Sequence, residues 1–262
     1  PLGGGKGGIE VNPRELSAKE LEELTRKYVR GLHQHIGPDQ DVPAPDVNTN
    51  GTIIDWMVDE YEKLTGDTSR ASFTGKTIAN GGSLGRDAAT GRGGVLSLTE
   101  WLTLEGNGEK PMRYAVQGFG NVGSFFATTI ADMRPDWTLV AASDSQTAVY
   151  DAKGLDADKL QKFKEDGGRF IDFDGEKITN EELIALDVDV LVLAGLEDAV
   201  SDDNMKTVQA KYLVEMANSP VTFNAHEYLE DKSHVIIPDI IANAGGVIVS
   251  YLEWVQNRAD EK

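Results

Sequence analysis

Apolar residues in this chain follow two periods, and the place where one gives way to the other organises the rest. A short β-rich run, Arg113-Tyr114-Ala115-Val116-Gln117, meets the tight turn Gly118-Phe119-Gly120-Asn121-Val122-Gly123, which opens an apolar, helix-compatible segment from Asn121 to Met133. A second β-rich run, Thr138 to Ser143, follows. Further runs at Val188 to Leu193, Tyr212 to Val214 and Val235 to Ile237 alternate with helical stretches near Thr179 to Leu186, Asp203 to Ala210 and Asn224 to Glu230. Strand and helix in alternation predict an α/β fold built on a doubly wound parallel sheet.

Upstream, the pattern is helical. Ser17 followed by Glu20 predicts a capping box, and Leu21, Leu24, Tyr28, Leu32 and Ile36 fall near one face before Gly37-Pro38 stops the helix. A second helix is predicted over Thr52 to Leu64, with Ile53, Trp56, Met57 and Tyr61 facing inward and Gly66 at its end. Residues Phe73 to Gly94 are dense in glycine, with fixed Thr, Lys and Arg placements unlike a Gly/Ser linker; they read as a hinge running into a helix from Val95 to about Leu104. A last helix carries Ser250, Tyr251 and Trp254.

Composition narrows the function. With 40% hydrophobic and 26% charged residues over 262 positions, a soluble globular chain of one large or two smaller domains is expected. The absence of cysteine excludes disulfides, Cys-ligated zinc, iron–sulfur clusters and thiol catalysis, and fits a reducing cytoplasm. No apolar run is long enough to span a bilayer, and no signal-peptide pattern opens the chain, so neither a membrane protein nor an exported one is expected. A net charge of −19 repels nucleic acid and anionic membranes, and reads as adaptation to high salt, the alternative being an ordinary acidic cytoplasmic protein. No metal site is expected.

Candidate chemistry begins at the central turn. Gly118 permits the turn, Gly120 lets backbone N–H groups approach a pyrophosphate at the helix N-terminus, and Gly123 allows helix and strand to pack closely. Asp144, 26 residues after Gly118, stands where a carboxylate receives ribose hydroxyls. No Arg or Lys follows it closely, which favours NAD while leaving NADP open. At the start of the chain, Lys6 lies within Pro1-Leu2-Gly3-Gly4-Gly5-Lys6-Gly7-Gly8. Such a loop can bring a small ligand to a cation, or can be a flexible linker; its abrupt start predicts chain upstream. Asp41 or Asp46, held by Pro43 and Pro45 in an extended loop, can transfer protons or simply form turns.

Taken together, these stretches resemble the glutamate dehydrogenase family. The glycine-rich lysine loop, Pro43-Ala44-Pro45-Asp46, Thr74-Gly75-Lys76 with Gly81-Gly82-Ser83-Leu84-Gly85-Arg86, the Gly118 to Gly123 turn, and Asn243-Ala244-Gly245-Gly246-Val247 leading to Ser250 all stand in that family's order, so the resemblance covers nearly the whole chain. It implies reversible NAD(P)-dependent oxidative deamination of L-glutamate to 2-oxoglutarate and ammonia, in a cytoplasmic homohexamer. By similarity, Lys6 polarises the 2-oxo group or the attacking water, and Asp46 exchanges protons with the substrate nitrogen. Asn243, Gly246, Val247 and Ser250 line the amino-acid pocket. Cofactor contacts fall to Thr74, Gly118, Phe119, Gly120, Asn121, Val122, Gly123, Asp144, Ser145, Ala194, Asn218 and Asn243. The implied domains are 1–72 for substrate, 73–242 for dinucleotide, and 243–262 returning to the substrate domain.

Several positions depart from the family pattern. Met216 and Ser219 replace glycines, and Leu193, Gly195 and Asp198 stand where proline, alanine and asparagine are usual. Met216 is expected to add bulk beside Asn218, near the nicotinamide, so that either the pocket has adjusted or cofactor binding is weakened. Two alternatives therefore stand beside the enzyme: a non-catalytic paralogue that binds nucleotide or glutamate as a regulatory subunit, and a leucine, valine or phenylalanine dehydrogenase.

Overall fold

The computed structural model describes residues 4–259, so Pro1, Leu2 and Gly3 of the lysine loop lie outside the described residues. The chain divides into two compact units, Gly85–Ile248 and the residues on either side of it. These divisions fall later than 72/73 and 242/243. The physical reason is visible in the bonds made by the first glycine-dense segment. Thr77 donates to Asp55, Lys76 pairs with Glu253, Ser83 donates to Gln256, and Gly81 accepts from Asn257, all within the first unit.

In the first unit, α1 (Ala18–Leu32) starts on the predicted capping box. Ser17 Oγ accepts from the Glu20 N–H at 3.3 Å, and the Glu20 carboxylate accepts from the Ser17 N–H at 2.9 Å. The helix stops short of Gly37-Pro38, because the chain turns after Leu32 and Ile36 forms a bridge with Asp41. Helix α2 (Gly51–Thr65) is capped by Asn50, whose Oδ1 accepts from the Ile53 N–H at 3.1 Å, and it ends at Gly66 with φ 76°. Val29, Ile36, Ile54, Val58, Tyr61 and Phe73 form the core between them.

The second unit opens with α3 (Ala89–Leu104), followed by β1 (Arg113–Gln117), α4 (Asn121–Met133), β2 (Thr138–Ser143), β3 (Ala148–Tyr150), α5 (Ala157–Glu165) and β4 (Glu176–Ile178). It continues through α6 (Asn180–Ile184), β5 (Val190–Leu193), β6 (Tyr212–Glu215), α7 (Phe223–Asp231), β7 (Val235–Ile237), α8 (Asp239–Ala242) and the first turn of α9 (Gly245–Ala259). The strands form one sheet in the order β4-β3-β2-β1-β5-β6-β7. The five strands read from the sequence pair in parallel, as expected. β3 and β4 were not expected; they add an antiparallel edge, so the sheet is mixed. Three-residue strands are too short to show a period, which is why the pattern missed them.

Alternate residues serve the two faces. Val190 and Val192 enter the core on one side of the sheet, while Leu191 and Leu193 enter the core on the other. Both faces are buried, which explains why these strands read as unbroken apolar runs. In β2 the alternation breaks at a bulge opposite Tyr114/Ala115, where Val140 and Ala141 both join the second core.

Two helix predictions change. Residues 203–210 hold only a single 3₁₀ turn, Met205–Thr207, because the Asn204 side chain accepts from the Ser201 N–H and donates to the Ala199 carbonyl, closing a local turn. The end of the glycine-dense stretch read as hinge, Ala89 to Gly94, is instead the start of α3. Its glycines make room for neighbours: a Cβ on Gly91 would lie 2.6 Å from the Phe126 backbone nitrogen in α4, and one on Gly94 would lie 2.2 Å from Met216 Sδ. Gly91→Ala therefore pushes backbone against backbone and is expected to lower stability by about 1–3 kcal/mol, read from the urea midpoint.

Candidate active site

Strand order reverses between β1 and β5, which makes the carboxyl ends of these two strands the topological switch point, where open α/β sheets bind ligands. The turn after β1 lies there. Gly118 has φ 89°, and a Cβ there would lie 2.4 Å from the Gly195 nitrogen, so Gly118 serves both the turn and the close approach of the loop after β5. Ala194 anchors that loop through its N–H to the Gln117 carbonyl at 2.7 Å. Gly123 packs α4 onto the strand, since its Cβ would lie 2.1 Å from the Gly118 oxygen. Gly120, the N-cap of α4, makes no side-chain cap and has open space about it. A helix of this length beginning at an uncapped, unobstructed glycine leaves N–H groups and the positive end of its dipole for an anion. A dinucleotide pyrophosphate fits that cradle. Asn121 donates to the Asp87 carbonyl at 3.0 Å, while Phe119 and Val122 pack into the core.

Asp144 follows β2, with Ser145 exposed beside it. Its carboxylate already has four partners: Oδ1 accepts from the N–H groups of Gln146 and Thr147, and Oδ2 accepts from the Phe170 N–H at 3.0 Å and from Lys164 Nζ at 3.1 Å. Burial opposes its ionisation, but these donors outweigh burial and hold the group below the usual carboxylate range. Lys164 also lies 5.1 Å over the Phe170 ring, and Phe170 packs against Phe119 of the glycine turn. A cation therefore stands at Asp144 after all. It comes from α5, twenty residues on, and the β3–α5 excursion that returns it was not legible in the sequence.

Asn218 and Asn243 meet at the ends of β6 and α8, with Asn243 Nδ2 donating to Asn218 Oδ1 at 2.8 Å. Glu215 and Asp239 brace this corner. The Glu215 carboxylate accepts from the Asp239 N–H, and the Asp239 carboxylate accepts from the Ser219 N–H. Met216, expected beside the nicotinamide, instead points into the core, only 3% exposed and seated against Gly94. The volume it adds is matched by the side chain Gly94 lacks. Gly246 fits under Thr90, where its Cβ would lie 2.5 Å from Oγ1, and Val247 is exposed.

The first unit holds the remaining candidates. Lys6 Nζ donates to Asp46 Oδ2, forty residues away. This contact, with the Val47 N–H donating to Oδ1, holds Asp46 below the usual carboxylate range, although the group remains largely exposed. Asp41, the other loop carboxylate, pairs through its backbone with Ile36 and Gly37. Thr74 is buried, and its N–H donates to the Pro43 carbonyl at 3.0 Å, tying it to the Asp46 loop. Ser250 is buried on α9, one turn before Glu253. Among the described residues there is no group of His, Asp and Glu able to hold a metal ion, and no helix is long and apolar enough to cross a membrane.

Known proteins share this fold. Residues 81–261 match the family described as Glutamate/Leucine/Phenylalanine/Valine dehydrogenase, and residues 1–63 match the Glu/Leu/Phe/Val dehydrogenase dimerisation domain. The chain belongs to this family. It is 45% identical over 258 residues to a glutamate dehydrogenase of Thermotoga maritima, covering 98% of this chain and 62% of that protein. An NADP-specific glutamate dehydrogenase A1 of Halobacterium salinarum is also 45% identical, over 260 residues and with the same coverage of each chain. An NAD-specific enzyme of Clostridioides difficile is 46% identical over 263 residues, again covering 98% and 62%. Among solved structures, a hetero-hexameric glutamate dehydrogenase from Thermus thermophilus superposes with a TM-score of 0.88 at 35% identity, over 96% of this chain and 59% of that one. The chain thus spans about three fifths of the length of these relatives.

The corner at Glu215 gives a pH test. Loss of water on burial pushes its carboxyl above the usual range, with the Asp239 charge adding to this and the Asp239 N–H opposing it. An acid whose pKa is higher folded than unfolded takes up a proton on folding. Its contribution is full below the unfolded pKa and is lost as pH rises through the folded one. Glu215→Gln keeps an acceptor for the Asp239 N–H, so its stability relative to the parent should improve as pH rises from about 4 to 7, in urea melts at each pH.

Proposed function

We propose that the protein to which this chain belongs catalyses the reversible, NAD(P)-dependent oxidative deamination of L-glutamate to 2-oxoglutarate and ammonia. The observation that carries this reading is the direct contact of Lys6 with Asp46. It brings a cation to an ionised acid/base, as imine chemistry requires. When bound, the nicotinamide dinucleotide supplies the acceptor for the hydride leaving the substrate Cα. Asp46 takes a proton from the substrate ammonium and later returns one to the departing nitrogen. Water adds to the imine carbon and gives up one proton, leaving a carbinolamine. As its hydroxyl proton passes to solvent and ammonia departs, the Lys6 ammonium stabilises the negative charge developing on that oxygen. Asn243, Gly246, Val247 and Ser250 contribute to the amino-acid pocket, with Ser250 reading the side-chain carboxylate. Thr74, Asn218 and Asn243 serve the nicotinamide side.

For the nucleotide we infer NAD, with NADP admitted. Asp144 has the place of the ribose acceptor, yet only its Lys164 partner can move aside without disturbing backbone. A 2′-phosphate has that same lysine as a counter-charge. Supporting relatives carry both specificities in their names. The core position of Met216 supports the enzyme over a non-catalytic paralogue. The match to a dimerisation domain and the hetero-hexameric relative support an oligomer, which we take to be a cytoplasmic homohexamer. The net charge of −19 supports working in high salt.

In the full-length protein, Lys6→Ala and Asp46→Asn should each lower kcat with glutamate by about a thousandfold while leaving the unfolding midpoint nearly unchanged. The decisive assay offers glutamate, leucine, valine and phenylalanine with either nucleotide, at low and high salt. Turnover only of an apolar amino acid moves the substrate, and no turnover with any pair sinks the enzyme reading. Asp144→Ala should weaken NAD more than NADP, and Lys164→Ala the reverse, each by about tenfold in Kd from fluorescence titration.

A further inference from the structure

Behind the Asp46 loop lies a group of charges that the proposed chemistry does not use. Lys76 Nζ and Glu253 Oε1 are 2.6 Å apart, and both side chains are fully shielded from solvent. Glu253 also accepts from the Gly75 N–H with both carboxylate oxygens at 3.0 Å, and Lys76 Nζ donates to the Phe73 carbonyl. A buried ion pair is a poor source of net stability, because desolvation offsets its attraction and apolar residues of similar volume serve as well. It does impose geometry, since each charge must be met from fixed directions.

That geometry passes to Asp46 in two steps. Gly75, gripped by Glu253, has φ 81°, and the Pro45 ring occupies the space a side chain would need; a Cβ on Gly75 would lie 2.4 Å from Pro45 Cδ and Cγ. The Thr74 N–H holds the Pro43 carbonyl at 3.0 Å. The residues just before Asp46 are thus pressed and tethered from one side, and the next carboxylate along the chain meets Lys6. Neither Glu253 nor Lys76 contacts Lys6 or Asp46.

We propose that Glu253 and Lys76 are positioning residues: their buried pair fixes the Thr74–Lys76 turn, the turn seats Pro45, and Pro45 sets the Asp46 carboxylate on Lys6. The proposal rests on the reading of Asp46 as the acid/base. A misplacement of about an ångström at such a group lowers turnover by about a hundredfold.

The test uses full-length protein and two variants that act at different links, Glu253→Gln at the pair and Pro45→Ala at the seat. Pro45 is a partly buried loop residue outside the core clusters, so Pro45→Ala is expected to fold even if Glu253→Gln does not. The primary readout is the titration of the Asp46 side-chain carboxyl, followed by carbon-13 NMR. Lys6 is the charged group that the described residues bring against it, so loss of that contact moves the midpoint up toward the ordinary aspartate value. The same variants should lose about 10- to 100-fold in kcat with glutamate, with KM for NAD within about threefold of the parent, and Glu253→Asp should restore part of the loss. An unchanged Asp46 midpoint in Pro45→Ala, or in a folded Glu253→Gln, overturns the proposal. Because the NMR titration does not depend on turnover, a parent protein without activity would defeat the functional reading and leave positioning to be decided by the midpoint alone.

Discussion

Backbones in this protein approach one another more closely than a Cβ allows, and the architecture depends on glycine at those points. At Gly123 the helix after the glycine turn lies against the turn's own carbonyl; at Gly91 two helices meet backbone to backbone. Remove that clearance and α4 lifts from β1, carrying its N-terminal N–H groups away from the carboxyl ends of β1 and β5. The same constraint recurs in the other unit, where Gly75 leaves its side-chain space to the Pro45 ring. Close packing thus serves placement more than stability, because interiors at this density transmit displacement instead of absorbing it.

Polar groups follow a related logic. Asp144 is satisfied by four donors from the protein itself, so any group that donates to it must displace one of them. Lys6 and Asp46 likewise meet each other in the open, where water competes and the pair separates at little cost. Lys76 and Glu253 are the opposite case: no water reaches them, and separating them would strand a buried charge. In the first unit, an exchangeable surface pair thus stands next to a loop backed by an unexchangeable buried one.

Volume changes are absorbed locally. Met216, just after β6, turns its thioether into the core because Gly94 on α3 leaves room there. An unbranched side chain with a polarisable sulfur fills such an irregular gap well. The substitution reads as damage in the sequence and as packing in the structure, since the compensating residue lies more than a hundred positions away.

The sequence by itself determined the elements with strong local signals. The Ser17 capping box, the helix end at Gly66, the five parallel strands and the glycine turn all rest on interactions between residues close along the chain, where period and cap chemistry are sufficient. It also brought forward Lys6, Asp46 and the Gly118 to Gly123 turn as candidates, because the motifs around them resemble those of a known family. Tertiary structure alone decided what depends on contact between distant residues. It extended α3 through its glycines by packing them on α4, added the β3 and β4 edge by pairing strands too short to show a period, and brought Lys164 to Asp144. It joined Lys76 to Glu253 across 177 positions. No local rule could supply these, for a buried charge has no signature of its own in sequence: its partner, and so its purpose, is fixed only when the chain closes on itself.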